Sequence, residues 1–181
     1  TELYFRSMRN VLPEAALGVY LLRGCEVNVL DGDGALDLSP DILDRLDVVI
    51  ASMHTLTFQP SDEATHTRAW LAVAKNPSVD IIGHAGDGRY PFDHETAIRA
   101  FKENGKVVEI NSHSFKVRKG SYENCRAIAR LLKKYEVPVV LSTDAHFATF
   151  VGKVDASLDV LRDVDFPEAL VLNADARRFA N

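Results

Sequence analysis

The sequence predicts one α/β domain with a mostly parallel sheet. Short apolar, β-branched runs recur along the chain, each is followed by a longer amphipathic stretch, and no Pro/Ser-rich linker divides them. With 181 residues, 46% of them hydrophobic, the chain can bury one core and is too apolar for a disordered class. Ten Gly and seven Pro exclude collagen-like and low-complexity chains.

The elements follow in order. The first apolar run is 18–22 (GVYLL), continuing through Gly24-Cys25-Glu26 into 27–30. A turn-rich segment (DGDGALDLSP) and a short helix signal at 41–46 lead to the run 48–51, which ends in Ser52-Met53-His54. Residues 61–75 read as a helix, with Ser61 as N-cap candidate, Glu63 in the first turn, and Asn76-Pro77 stopping it. The run 79–82 leads into Gly83-His84, and a helix over 93–104 is closed by Gly105. After the run 107–110, a polar loop (NSHSFKVRKGS) precedes a helix over 122–135 with Ser121 as N-cap. The run 137–141 ends in Ser142-Thr143-Asp144-Ala145-His146, and a helix at 155–161 and a terminal segment 169–181 close the chain. Five strands are expected.

Bulk properties narrow the function. A net charge of −5 argues against a broad electrostatic surface for nucleic acid or an anionic membrane. No apolar run approaches about 18 residues, and TELYFRSMRN lacks the basic-then-apolar pattern of a signal peptide. Two cysteines, Cys25 and Cys125, make no disulfide framework, so a reduced, cytoplasmic protein is expected. Cys25 reads as a small packed apolar residue and Cys125 as a helix residue without an adjacent base, so neither is expected to be a nucleophile.

The chemistry sits where the apolar runs end. Glu26 to His54 is 28 residues, His54 to His84 is 30, and His84 to Asn111 is 27. Glu109 to Asp144 is 35, with His146 two further on. A repeat of one βα unit brings strand C-termini to a common mouth in a β/α barrel. Glu26, His54, His84, Asp144 and His146 then form a nitrogen-and-oxygen ligand set without thiolate, which suits zinc, manganese or iron in a hydrolytic site. Glu26 inside an apolar run needs a partner or a metal, and Asn28 shares its face. His66 and His94, on helices, are expected to be solvated. Arg118-Lys119-Gly120, just before a helix, reads either as a phosphate contact or as a solvated basic turn. Gly83, Gly86 and Gly88 are rejected as a dinucleotide fingerprint, because His84 and Pro91 disturb the required strand–turn–helix context.

GCEVN (24–28), SMH (52–54), IGHAGD (82–87), VEINSHSF (108–115), RKGSYENC (118–125) and STDAHF (142–147) resemble the polymerase-and-histidinol-phosphatase (PHP) superfamily, in its small YcdX-like phosphatase branch. FPEALVLN (166–173) fits as well, so the resemblance covers essentially the whole chain. It implies a distorted seven-stranded, TIM-like β/α barrel with up to three divalent metals at its mouth. It also implies a phosphatase acting on a small phosphomonoester through a metal-bound hydroxide. Glu26 matches the bridging carboxylate, His54 and His84 complete one metal's shell, Asp144 matches a shared carboxylate and His146 a third-metal ligand. The family's N-terminal His-x-His has no counterpart here. Residues 1–181 are therefore expected to form the C-terminal portion of such a domain, with one well-held metal. Two other outcomes remain open: an amidohydrolase-like C–N hydrolase, or a non-catalytic metal-binding domain.

Overall fold

The computed structural model describes residues 2–179, so Thr1 and the last two residues of the expected terminal segment lie outside the described residues. The elements in chain order are α1 (Glu2–Val11), β1 (Ala15–Ala16), β2 (Val19–Tyr20), β3 (Gly24–Asn28), α2 (Pro40–Leu43), β4 (Val48–Ser52), α3 (Glu63–Lys75) and β5 (Ile81–Ile82). They continue with α4 (His94–Glu103), β6 (Val107–Asn111), α5 (Ser114–Val117), α6 (Ser121–Tyr135), β7 (Val139–Ser142), α7 (Asp155–Arg162) and α8 (Ala176–Phe179).

Five strands form one parallel sheet in the order β3–β4–β5–β6–β7. Each strand is added beside its predecessor, so the sheet lacks the order reversal of a doubly wound fold. Right-handed crossovers in an unreversed order place all the connecting helices on one face. There α3, α4, α6 and α7 pack each against the next. The closed seven-stranded barrel is not what the described residues display. Their sheet is open, with β3 and β7 at its two ends.

Register sorts the side chains. Val27, Val49, Ala51, Ile82, Val108, Ile110 and Val139 point to the helical layer and are all buried. With Trp70, Phe101, Ile98, Ile128 and Leu132 they make the core, and each large apolar side chain buried there contributes roughly 1.5–3 kcal/mol. The opposite face carries Glu26 on β3 and Glu109 on β6. Above them lies a row of strand-terminal polar residues: Asn28 pairs with Ser52, and Asn111 with Ser142. Polarity is thus concentrated on one face at the C-terminal end of the sheet.

The edge of β7 is covered by the terminal segment. Val171 bridges Val139, and the Asn173 side-chain amide accepts from the Leu141 N–H at 3.0 Å and donates to its carbonyl at 2.7 Å. An amide side chain here satisfies edge backbone groups as a further strand would.

Three local expectations change. The run 18–22 is not the start of the sheet. Leu17 (φ 53°) and Gly18 (φ 79°) make a left-handed two-residue turn, and β2 folds back on β1 as an exposed hairpin. Asp62, not Ser61, caps α3, accepting from the Thr65 N–H at 2.7 Å. At α6 the left-handed Gly120 (φ 77°) precedes the helix and Ser121 is already its first residue. Gly105 (φ 65°) ends α4 as expected.

Candidate metal centre

β3 carries Glu26 on its polar face, and the turns after β4 and β5 present His54 and His84. The three side chains converge. Glu26 Oε1 lies 3.0 Å from His84 Nε2 and 3.6 Å from His54 Nε2, and the two Nε2 atoms are 3.1 Å apart. All three donor atoms fall within 4.8 Å of one another. Among the described residues this is the one His/Cys/Asp/Glu group that meets that criterion. Three Lewis-base atoms, two imidazole nitrogens and a carboxylate oxygen, thus face one another across about one hydrogen-bond length. Two nitrogens and one carboxylate oxygen suit zinc, manganese or iron, and the residues present fit a divalent cation.

The electrostatics agree. Burial pushes the Glu26 carboxyl up, but the His84 hydrogen bond and the neighbouring imidazoles outweigh it and hold the pKa at about 2. Glu26 is therefore an anion facing the two rings. The His54 pKa is lowered by burial and then by the nearby His84, which keeps its ring neutral. An anionic carboxylate and a neutral imidazole are the protonation states that ligate metal.

His84 has φ 28° and Asp144 φ 45°, both in the region that L-residues avoid at a cost of about 1–3 kcal/mol. Its neighbours hold His84 there. A Cβ on Gly83 would fall 2.0 Å from Ser52 Oγ, so only glycine lets the chain approach β4 this closely. The buried Glu109 carboxylate then accepts from the His84 backbone N–H at 2.6 Å and from the Ser142 hydroxyl at 2.6 Å. Glu109 therefore ties the β5 turn to β7 beneath the cluster.

The other expected residues are distributed as follows. Asp144 and Glu26 line the same cleft of about 390 Å³, with Glu109, Asn111 and Ser142. Asp144 is not within the three-residue group. His146 is 80% exposed, its Nδ1 hydrogen-bonded to the Asp144 carbonyl at 2.8 Å, and it does not join the cluster. The Arg118 side chain is only 10% exposed. It donates to Ser114 Oγ at 2.9 Å and lies 3.7 Å from both Asp144 Oδ2 and Asp87 Oδ2. Lys119 is on the surface. Burial pushes both thiols up, Cys25 to about 11 and Cys125 to about 12, so neither is a nucleophile.

His66 is a correction. It is fully buried, with Nδ1 donating to the Pro91 carbonyl at 2.8 Å and Nε2 accepting from the Ser61 N–H at 2.9 Å. It clamps the loop after His54 to the loop after His84, and the Tyr90 hydroxyl donating to the Phe58 carbonyl at 2.8 Å is a second tie between them. His94 is half-buried against Phe92, not freely solvated. Sequence reasoning gave no role to Glu109, Asp87 or Asp37. For Glu109 a signal existed, since VVEIN places a carboxylate inside an apolar run just as GCEVN does. For Asp37, in a turn-rich segment, there was none.

Fold and site together define an α/β protein whose strand ends gather a cluster able to hold a metal ion. A probable phosphatase of Acetivibrio thermocellus is 44% identical to the chain over 176 residues, covering 97% of the chain and 73% of that protein. One of Thermoanaerobacter sp. (strain X514) is 47% identical over 174 residues, covering 95% and 71%. One of Caldicellulosiruptor saccharolyticus is 39% identical over 179 residues, covering 99% and 74%. The chain belongs to this family of probable phosphatases. No family model matches the chain. A chain in the cryo-EM structure of an archaeal ribonuclease P with mature tRNA has a similar fold, with TM-score 0.56 and 14% identity over 91% of this chain and 75% of that one.

Proposed function

We propose that residues 1–181 belong to a metal-dependent phosphatase of the PHP type, acting on a small phosphomonoester. The convergence of Glu26, His54 and His84 within 4.8 Å carries this reading. The unreversed sheet order supports assigning the five strands to a seven-stranded barrel, and the family's phosphatase names support the bond cleaved. A divalent ion bound there would lower the pKa of its water toward neutrality and offset phosphoryl charge.

The residues of the chain supply the rest. Glu26 contributes a fixed negative charge, and His54 and His84 contribute neutral nitrogens. Glu109 holds the His84 backbone in its left-handed conformation. Arg118, braced by Ser114 and by the buried Asp87, is the phosphate contact. Asp87 is kept anionic although burial pushes its carboxyl up, because the hydrogen bonds from Arg89 more than offset it. Asp144 and His146 are the ligands for further metals, and Lys119 is an outer contact for the phosphate.

Hydrolysis of p-nitrophenyl phosphate and of an anilide, each with added manganese or zinc, tests the reading. Phosphate release that disappears with chelator and in His84→Ala is expected. Anilide cleavage alone would favour a C–N hydrolase, and metal uptake without hydrolysis would favour a binding domain.

A further inference from the structure

Asn28, the last residue of β3, and Asp37 form a closed pair beside the cluster. The loop between them is tight. The Leu30 N–H donates to the Ala35 carbonyl at 2.8 Å, Val29 bridges Leu36, and Gly34 takes φ 77° at the turn. This returns Asp37 to the strand end it left. The backbones are joined by the Asp37 N–H donating to the Asn28 carbonyl at 3.2 Å, and the Asn28 N–H donates to Asp37 Oδ1 at 2.9 Å. The Asn28 side-chain amide donates to Asp37 Oδ2 at 2.6 Å. A carboxylate can only accept, so this bond fixes which end of the Asn28 amide is NH₂. The oxygen, Oδ1, must then face the other way, where it lies 2.8 Å from His54 Nδ1 and 3.5 Å from the Thr57 hydroxyl.

The consequence reaches the cluster. An amide oxygen can only accept, so His54 Nδ1 must carry the ring proton. In a neutral ring Nε2 is then a bare lone pair, and Nε2 is the atom facing Glu26 Oε1 and His84 Nε2. A metal-ligating imidazole is characteristically oriented by a hydrogen bond at its other nitrogen. We propose that Asn28, locked by Asp37, is the positioning residue that fixes His54 in its Nδ1–H tautomer and turns Nε2 to the metal position. The proposal rests on the metal reading above for its purpose, and on the hydrogen-bond directions alone for the tautomer.

Two readouts on the whole chain test it. The first is the ¹⁵N–¹H correlation spectrum of histidine-labelled, metal-free protein at about pH 8, where imidazole is neutral, with His54 assigned by its loss in His54→Gln. The wild type should show a protonated Nδ1 and an unprotonated Nε2. Asn28→Leu should mix or reverse the tautomers, and the swapped pair Asn28→Asp with Asp37→Asn, which keeps an acceptor at His54 and a donor–acceptor contact between positions 28 and 37, should restore Nδ1–H. The second readout is zinc titration, in which Asn28→Leu should bind about 10–100-fold more weakly. Asp37 is exposed, so Asp37→Ala should fold even if Asn28→Leu does not. By freeing the amide to turn over, it should mix the tautomers and weaken zinc severalfold. A wild-type His54 protonated at Nε2, or a tautomer unchanged in Asn28→Leu and Asp37→Ala, overturns the proposal. A wild type with locked Nδ1–H that takes up no zinc overturns the metal reading and leaves the tautomer lock standing.

Discussion

Glu26 and Glu109 are both carboxylates set inside apolar runs on the same face of the sheet, yet they meet different partners. Glu26 faces two imidazole nitrogens, whereas Glu109 is occupied by a backbone N–H and a hydroxyl. Removing Glu109 leaves the buried His84 N–H unpaired, at about 1–3 kcal/mol, takes the acceptor from the half-buried Ser142 hydroxyl, and frees His84 to leave its left-handed conformation. Glu109→Ala should therefore lower the thermal midpoint and weaken zinc binding about 10–100-fold, read by melting and titration. Glu109→Gln, which keeps an acceptor, should lose less. His66→Ala removes two hydrogen bonds and opens a cavity, so it should destabilise the chain by about 2–4 kcal/mol in urea titration. Unchanged stability would mean that His66 is solvated after all. The sequence made Glu26, His54 and His84 legible because strand ends recur at one βα unit. It hid His66, whose Thr and Arg neighbours suggest a solvated face while its partner, the Pro91 carbonyl, lies 25 residues away.

At the scale of elements, the helices and the parallel strands lie close to where periodicity puts them, because amphipathic spacing is a local signal. The departures come from turn and tertiary effects. The Leu17-Gly18 turn turns an apolar run into an exposed hairpin. Helix α1 stands outside the expected elements, although Glu2 lies in its first turn and Arg9 in its last; Met8 is its one buried residue. What anchors α1 is Asp47, just before β4. Its Oδ1 accepts from Arg9 Nη2 at 2.9 Å, while Oδ2 accepts from the Arg23 backbone N–H at 2.9 Å and from Arg23 Nε at 2.6 Å. The Arg23 hydrogen bond holds the Asp47 carboxyl below its ordinary 3.8, against an opposing push from burial. A depressed folded pKa means a stabilisation that is full above the unfolded value and lost as pH falls through the folded one. The wild type should therefore lose stability below about pH 4 more steeply than Asp47→Asn, measured as urea midpoints across that range. Parallel acid limbs would show that the Asp47 anchor contributes nothing.

For the molecule as a whole, one arrangement accounts for the position of the chemistry. An unreversed parallel sheet with its helices on one face leaves the other face free for Glu26, Glu109 and the polar row at the strand ends. The sequence showed the five-strand rhythm and the strand-end donors. Edge closure and the distances among side chains depend on contacts between residues far apart in the chain, which no local pattern reports. Among the described residues no helix is long and apolar enough to cross a membrane. If Glu26, His54 and His84 build a metal centre at the strand ends, metal content reports it without any substrate. Chain loaded with zinc or manganese and then dialysed should retain about one tightly held ion per molecule by elemental analysis. His84→Ala should retain none, although it remains folded. A wild-type chain that retains no metal, or a His84→Ala chain that retains as much as the wild type, would mean that these three residues hold no ion.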